Sequence, residues 1–139
     1  MRFHNGFFIV GIVVLLAIVT LIGLAARGNK RLANGIWGGV HIHIEVNNGV
    51  AQVEYDCANG EIPSPLDIDS QGHFSWRGFY TRESMGPIRV GRTPPRLAAT
   101  YSGSISGDTM SLTVKLADGQ VLDSFTLKRG AVGRIRKCR

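Results

Sequence analysis

Two hydrophobic patterns divide the chain. Residues 7–26 read FFIVGIVVLLAIVTLIGLAA, an apolar run with no charged side chain. Beyond residue 35 apolar positions alternate with polar ones at a period of two, the spacing of a β-strand with one face buried. A helix of ~20 apolar residues at ~1.5 Å rise spans ~30 Å, the hydrocarbon thickness of a bilayer. A helix apolar on every side has no place on the surface of a small soluble domain. The pattern therefore predicts a membrane anchor or signal-anchor over 1–26, a polar linker over 27–34 and an antiparallel β domain over 35–139. A cleaved leader is the alternative. Gly23 and Ala25 put small residues at the cleavage-setting positions, so cleavage would follow Ala25, although the apolar run exceeds the ~7–15 residues usual for a signal peptide.

Within the domain, Val40, Ile42, Ile44 and Val46 alternate with His41, His43, Glu45 and Asn47, which predicts one strand over 36–47. Asn47-Asn48-Gly49 is a hairpin signal. Ala51, Val53, Tyr55 and Cys57 share the apolar face of the next strand, and Ala58-Asn59-Gly60 reads as the turn that ends it. Pro63 and Pro65 exclude a regular central strand, and Leu66 and Ile68 mark a short one. Further strands are expected over 73–81, 97–105, 110–116 and 121–127, the last with a less regular pattern. Asp69-Ser70-Gln71-Gly72, Ser106-Gly107-Asp108 and Asp118-Gly119 supply turns. A short strand around Ile135 could follow. Some seven or eight short strands joined by tight turns predict an all-β fold. The simplest closed form is a small antiparallel up-and-down barrel, which removes exposed edges; a β-sandwich is the alternative.

Charge adds a qualification. The chain carries a formal +6 at pH 7, but the cations crowd two ends. Arg27, Lys30 and Arg31 follow the apolar run, and Lys128, Arg129, Arg134, Arg136, Lys137 and Arg139 crowd the C-terminus. The basic tail has no interleaved aromatics, so nucleic acid is not the expected partner; lipid headgroups or an acidic partner fit better. Positive charge after the apolar run favours a cytoplasmic domain. Cys57 and Cys138, the only cysteines, argue the reverse. Paired, they would tie the tail to the sheet and place the domain in an oxidising, extracytoplasmic compartment. The balance favours a single-pass protein of the inner (cell) membrane with its β domain on the periplasmic side.

Candidate chemistry is sparse. His41 and His43, with His73 as a third donor, are weak zinc candidates, and solvated strand positions are the simpler reading. Ser104 and Ser106 do not sit at the serine position of a Gly-x-Ser-x-Gly elbow. Glu54, Asp56 and Glu61 form an acidic patch that reads as solvated. No Gly-rich phosphate loop is present, and no cofactor is implied. The long loop over 82–96 carries Arg82, Arg89, Arg92 and Arg96 around Met85, Ile88 and Val90. Loops of such length are often functional, and Arg and Met are favoured at interfaces, so this loop is the candidate contact surface.

Gly35-Ile36-Trp37 opens the first strand and Leu127-Lys128-Arg129 ends the last long one. A Gly-x-Trp at the start of strand one, with a late cation over the ring, resembles the signature of lipocalin-like (calycin) barrels. The hairpin over 101–114 is similar to those of small exported bacterial β domains of unassigned function. The resemblance implies that Trp37 closes the barrel's bottom and that Arg129 or Lys128 covers it by a cation–π contact. The domain departs from lipocalins in its shortness and in showing no clear C-terminal helix. Two functions are expected from all this. The first is a non-enzymatic accessory or interaction protein that presents its β domain to a membrane-protein partner. The alternative, implied by the resemblance, is a barrel binding a small molecule or lipid.

Overall fold

The computed structural model describes residues 28–63, 65–84, 86–87 and 90–138. The expected anchor over 7–26 and its cleavage site lie outside these residues. Among the described residues no helix is long and apolar enough to cross a membrane.

The chain forms β1 (Lys30–Arg31), β2 (Gly35–Gly39), β3 (Ile42–Asn47), β4 (Val50–Tyr55), β5 (Ala58–Ile62), β6 (Asp67–Ile68), β7 (His73–Arg82), β8 (Arg96–Ser106), β9 (Thr109–Leu116) and β10 (Val121–Arg129). Eight of these close a barrel in the order β10-β2-β3-β4-β5-β7-β8-β9, every neighbour antiparallel. The fold is thus an all-β up-and-down barrel, sealed where Leu127, Lys128 and Arg129 of β10 pair with Gly39, Gly38 and Trp37 of β2. Period-two alternation drives it. In β3, Ile42, Ile44 and Val46 face inward, and in β9, Met110, Leu112, Val114 and Leu116 do so, while the residues between them face water.

The interior is filled for most of its length. Trp37, Trp76, Tyr101, Met110, Leu112 and Leu127 are among its buried members, and no polar or charged residue is buried among the described residues. Phe74 and Trp76 stack with centroids 3.9 Å apart. The Tyr101 hydroxyl donates to the Phe79 carbonyl at 2.7 Å. That ring fits because Gly60 and Gly78 line its seat: a Cβ on Gly60 would meet the Tyr101 hydroxyl, and one on Gly78 would meet its ring.

The strand directions define two ends. The lower end holds the linker, the β3–β4 turn, the β5–β7 connection and the β8–β9 turn. Its plug is β1 paired with β6, with Leu32 and Leu66 buried beneath. The Leu32 N–H donates to the Leu66 carbonyl at 2.9 Å, and Trp76 Nε1 donates to the Asp67 carbonyl at 2.8 Å. The upper end holds the β2–β3, β4–β5, β7–β8 and β9–β10 connections.

Four sequence expectations change. The strand over 36–47 is a hairpin, because Gly39 pairs with Ile42 across a two-residue turn, Val40 and His41. His41 takes a φ of 65°, and Val40 is exposed rather than inward. The turn shifts the inward parity from odd at Trp37 to even at Ile42, and reading Val40 into the later phase hid the break. Ala58-Asn59-Gly60 is not a turn but part of β5; the chain reverses one step earlier, at Asp56 and Cys57. Gly60 is glycine for Tyr101, not for a turn. The linker over 27–34 is not wholly irregular, since Lys30 and Arg31 form β1 and pair with β6. Ile135 lies in no strand; the tail makes one parallel bridge, from Arg134 to Val40. The irregular pattern of β10 has its cause in a register shift between Val121 and Asp123, after which Phe125 and Leu127 return to the inner face.

Tyr101→Phe removes the hydroxyl bond to the part-buried Phe79 carbonyl and lowers the unfolding free energy by about 0.5–1.5 kcal/mol in urea titration. Gly60→Ala, which forces the ring out of its seat, lowers it further. Equal stability of both variants to the parent chain would contradict this packing.

Candidate functional site

The upper end is not filled. Above Tyr101 the barrel opens into a cup of about 550 Å³. Its walls are Tyr55 from β4, Ala58 from β5, Tyr80 from β7 and Leu122 and Phe125 from β10. The Tyr55 and Tyr80 rings meet edge to face, 5.5 Å between centroids and inclined by 63°. Tyr55 and Phe125 lie 5.8 Å apart, tilted by 45°. Such aromatic groupings prefer inclined arrangements, which here wall a concavity. Around the rim stand His41, Asp56, Arg82, Glu83, Gln120 and Asp123. Below, the Tyr55 hydroxyl reaches that of Tyr101 at 3.4 Å. Burial raises the Tyr101 hydroxyl to a pKa of about 12 and the Tyr55 hydroxyl further still, so both are neutral phenols at the cup floor.

One side of the rim is built by the C-terminal tail. After β10 the chain turns at Gly130 (φ 75°) and runs back along β2. The Arg134 N–H donates to the Gly39 carbonyl and the His41 N–H to the Arg134 carbonyl, both at 2.9 Å. The Gly133 N–H donates to His43 Nδ1 at 3.1 Å. Backbone lies this close to the barrel wall because Gly38 and Gly133 have no side chains; a Cβ on either would strike the opposing backbone. At the rim the Arg136 N–H donates to Asp56 Oδ1 at 2.7 Å. His41 Nδ1 meets Asp56 Oδ2 at 2.6 Å, and Lys137 Nζ meets Glu54 Oε1 at 2.6 Å. The Arg136 N–H, then His41, hold the Asp56 carboxyl below its ordinary value. Lys137 does the same for Glu54, which in turn raises Lys137. Cys57 and Cys138 stand at disulfide distance, Cα–Cα 5.2 Å, and would staple the strap to the β4–β5 turn across 81 residues.

The residues singled out from sequence separate into distinct places. Cys57 borders the cup and Cys138 ends the strap. Trp37 is buried in the lower half, and the Arg129 guanidinium carbon stands 4.7 Å from its ring centroid. Arg129 Nε also lies 3.4 Å from Asp108. Arg82 lines the cup. Arg96 is bound to the barrel's outer wall, 2.9 Å from Glu61 and 3.8 Å above the Phe79 ring. Arg92 is exposed in the β7–β8 loop, while Met85, Ile88 and Arg89 lie outside the described residues. The zinc candidates do not converge: His41 is at the upper rim, His43 is on the outer wall under the strap, and His73 is at the lower end beside Asp69. The described residues contain no grouping of three or more metal-ligating side chains. The acidic patch is not merely solvated, since Glu54 and Asp56 hold the strap and Glu61 holds Arg96.

The cup itself was not anticipated. Its signal lay in Tyr55 and Tyr80, near the upper ends of β4 and β7, and in Phe125 midway along β10, which can be aligned only once the register is known. A second groove, of about 520 Å³, lies at the lower end between the plug and Arg129. Among the described residues, the exposed large apolar side chains Val40, Val90, Leu97 and Val121 belong to the upper end, and Val132 lies apart from them. No protein-family model, curated protein or solved structure matches the chain.

Cys138→Ser frees the strap. Hydrogen exchange at the His41 and Arg134 amides should quicken while that of β8 and β9 holds, with a stability loss of up to about 4–5 kcal/mol from the opened loop. The strap should also loosen in acid. A carboxylate held below its ordinary value contributes stability that is present above the ordinary carboxylate range and lost as pH falls through the lowered value. Protection of the Arg136 amide therefore falls as the pH drops below the ordinary carboxylate range, and Asp56→Asn flattens that dependence. A pH-independent protection in the parent chain would refute the role given to Asp56.

Proposed function

We propose that this chain is a non-enzymatic, membrane-tethered binding protein, anchored by residues 7–26 in the inner membrane with its barrel on the extracytoplasmic side. The cup takes the apolar or aromatic part of a small molecule or lipid. The observation that carries this reading is an aromatic-walled cup of about 550 Å³ at the open end of an otherwise filled barrel. Ligand sites of roughly 300–1,000 Å³ are usually concave, mostly apolar and bordered by a few polar groups. The point at which the chain enters the barrel is compatible with the same reading. Residues 28–31 join the barrel at its lower end, so a membrane span just before them leaves the cup facing away from the bilayer.

A second reading has its own support: the accessory protein docking on a membrane-protein partner. Val40, Val90, Leu97 and Val121 are exposed at the upper end, with Arg82 and Arg92 on the same end. Apolar residues edged by arginine suit a protein contact, and tethering raises effective concentration so that modest affinity suffices.

Native mass spectrometry of the chain extracted from its own membranes in mild detergent separates the two. The cup reading expects a single chain carrying added small-molecule mass, with occupancy about tenfold weaker in the Tyr80→Ala, Phe125→Ala double variant, as removal of about 1.4 kcal/mol of apolar contact implies. A larger stoichiometric assembly without bound small molecule would replace it with the docking reading.

A further inference from the structure

We propose that the ligand of the cup is an organic cation, an amine or quaternary ammonium carrying an apolar substituent; this rests on the cup reading above and narrows it. Two independent features of the cup select positive charge. The first is its π surface. Tyr55, Tyr80 and Phe125 surround one concavity, with neighbouring centroids 5.5 and 5.8 Å apart and their planes inclined to one another. A cation within about 6 Å of a ring centroid is drawn by the ring quadrupole, most strongly where water is excluded. Inclined walls let several rings act on one charged centre, whereas a flat stack offers one face.

The second feature is the charge of the lining. The chain as a whole carries +6, but the cup lining holds the carboxylates of Asp56, Glu83 and Asp123 and one guanidinium, Arg82, with Lys137 of the strap beside Glu83. These carboxylates differ in what already holds them. Asp56 is engaged on both oxygens, by His41 and by the Arg136 N–H, so it builds the rim. Glu83 is ion-paired with Lys137 at 3.8 Å, too long for a hydrogen bond, so its oxygens still have acceptor positions open. Asp123 bonds the adjacent Ser124 N–H through Oδ1 alone, and on β10 it belongs to the same wall as Leu122 and Phe125. Asp123 and Glu83 thus keep acceptor capacity for a ligand N–H or for the charge of a quaternary ammonium. Local negative charge in a concavity of a basic protein also concentrates cations there.

The lower groove makes the contrast. It is bordered by Lys30, Arg31 and Arg129, but Arg31 faces Asp67 and Arg129 faces Asp108, each at 3.4 Å. No aromatic side chain lines it. It offers neither a net charge nor a π surface.

The test titrates the full chain in non-ionic detergent with three probes of one chain length: hexyltrimethylammonium, hexanol and hexyl sulfate. Calorimetry reads affinity, and amide shifts of Tyr55, Tyr80 and Phe125 read the location. The proposal expects hexyltrimethylammonium to bind at the cup about tenfold or more tighter than hexanol, with hexyl sulfate weakest. Asp123→Asn with Glu83→Gln should narrow the ratio of ammonium to hexanol affinity toward one; Tyr80→Leu, which keeps an apolar wall, should narrow it as well. If hexanol or the sulfate binds the cup as tightly as the ammonium, the cationic assignment fails while the cup reading stands. If no probe shifts the cup residues, both fail.

Discussion

The structure depends on one seam. β10 must return to β2 and pair with it, because only that contact turns a meander of hairpins into a barrel without edges. The seam is short, Leu127 to Arg129 against Trp37 to Gly39, and it is reinforced from both sides. On the inside Trp37 and Leu127 are buried. At the lower end Arg129 covers the Trp37 ring, and on the outside the strap folds back over Gly38 and Gly39. The glycines that look permissive in the sequence are here the points of closest approach: any side chain on Gly38 would lift the strap from the wall.

Closure also divides the molecule into ends with different tasks. Large side chains accumulate in the lower half, where Trp37, Phe74, Trp76, Leu32 and Leu66 exclude water and β1 and β6 form a plug. Toward the upper end Ala58 and Ala99 line the wall, and the barrel opens between Tyr55, Tyr80 and Phe125. Rigid packing below leaves the cup's geometry fixed by strands rather than by loops. The strap adds an electrostatic clamp at the rim, through Lys137 and the Arg136 N–H, and brings Cys138 to disulfide distance of Cys57. Fold, clamp and cup are therefore one mechanical unit, which suits a binding role in which the site is formed before its ligand arrives.

Much of this was legible in the residues. Alternation in Ile42–Asn47 and Thr109–Leu116, with Asn48-Gly49 and Asp118-Gly119 between strands, suffices for an antiparallel all-β domain. What escaped the pattern did so for physical reasons. The Val40–His41 turn carries no glycine at its positive-φ position, so hydropathy ran straight through it. Gly60 resembles a turn residue but is set by a ring from β8, a contact 41 positions away that no local rule can see. The tail's cations resemble a solvated patch until register places Glu54 and Asp56 beneath them. The cup is the most non-local feature, since its aromatic residues come from three strands and converge only through closure.

The central claim is that the aromatic end of the barrel is the working face. It is tested most directly by amide spectra of the full chain in detergent, recorded before and after addition of the small-molecule fraction of its own membranes. The account predicts shifts concentrated at Tyr55, Ala58, Tyr80, Leu122 and Phe125, with the lower end silent. Shifts confined to Lys30, Ile68, Gly72 and Ile105, around the lower groove, would contradict it.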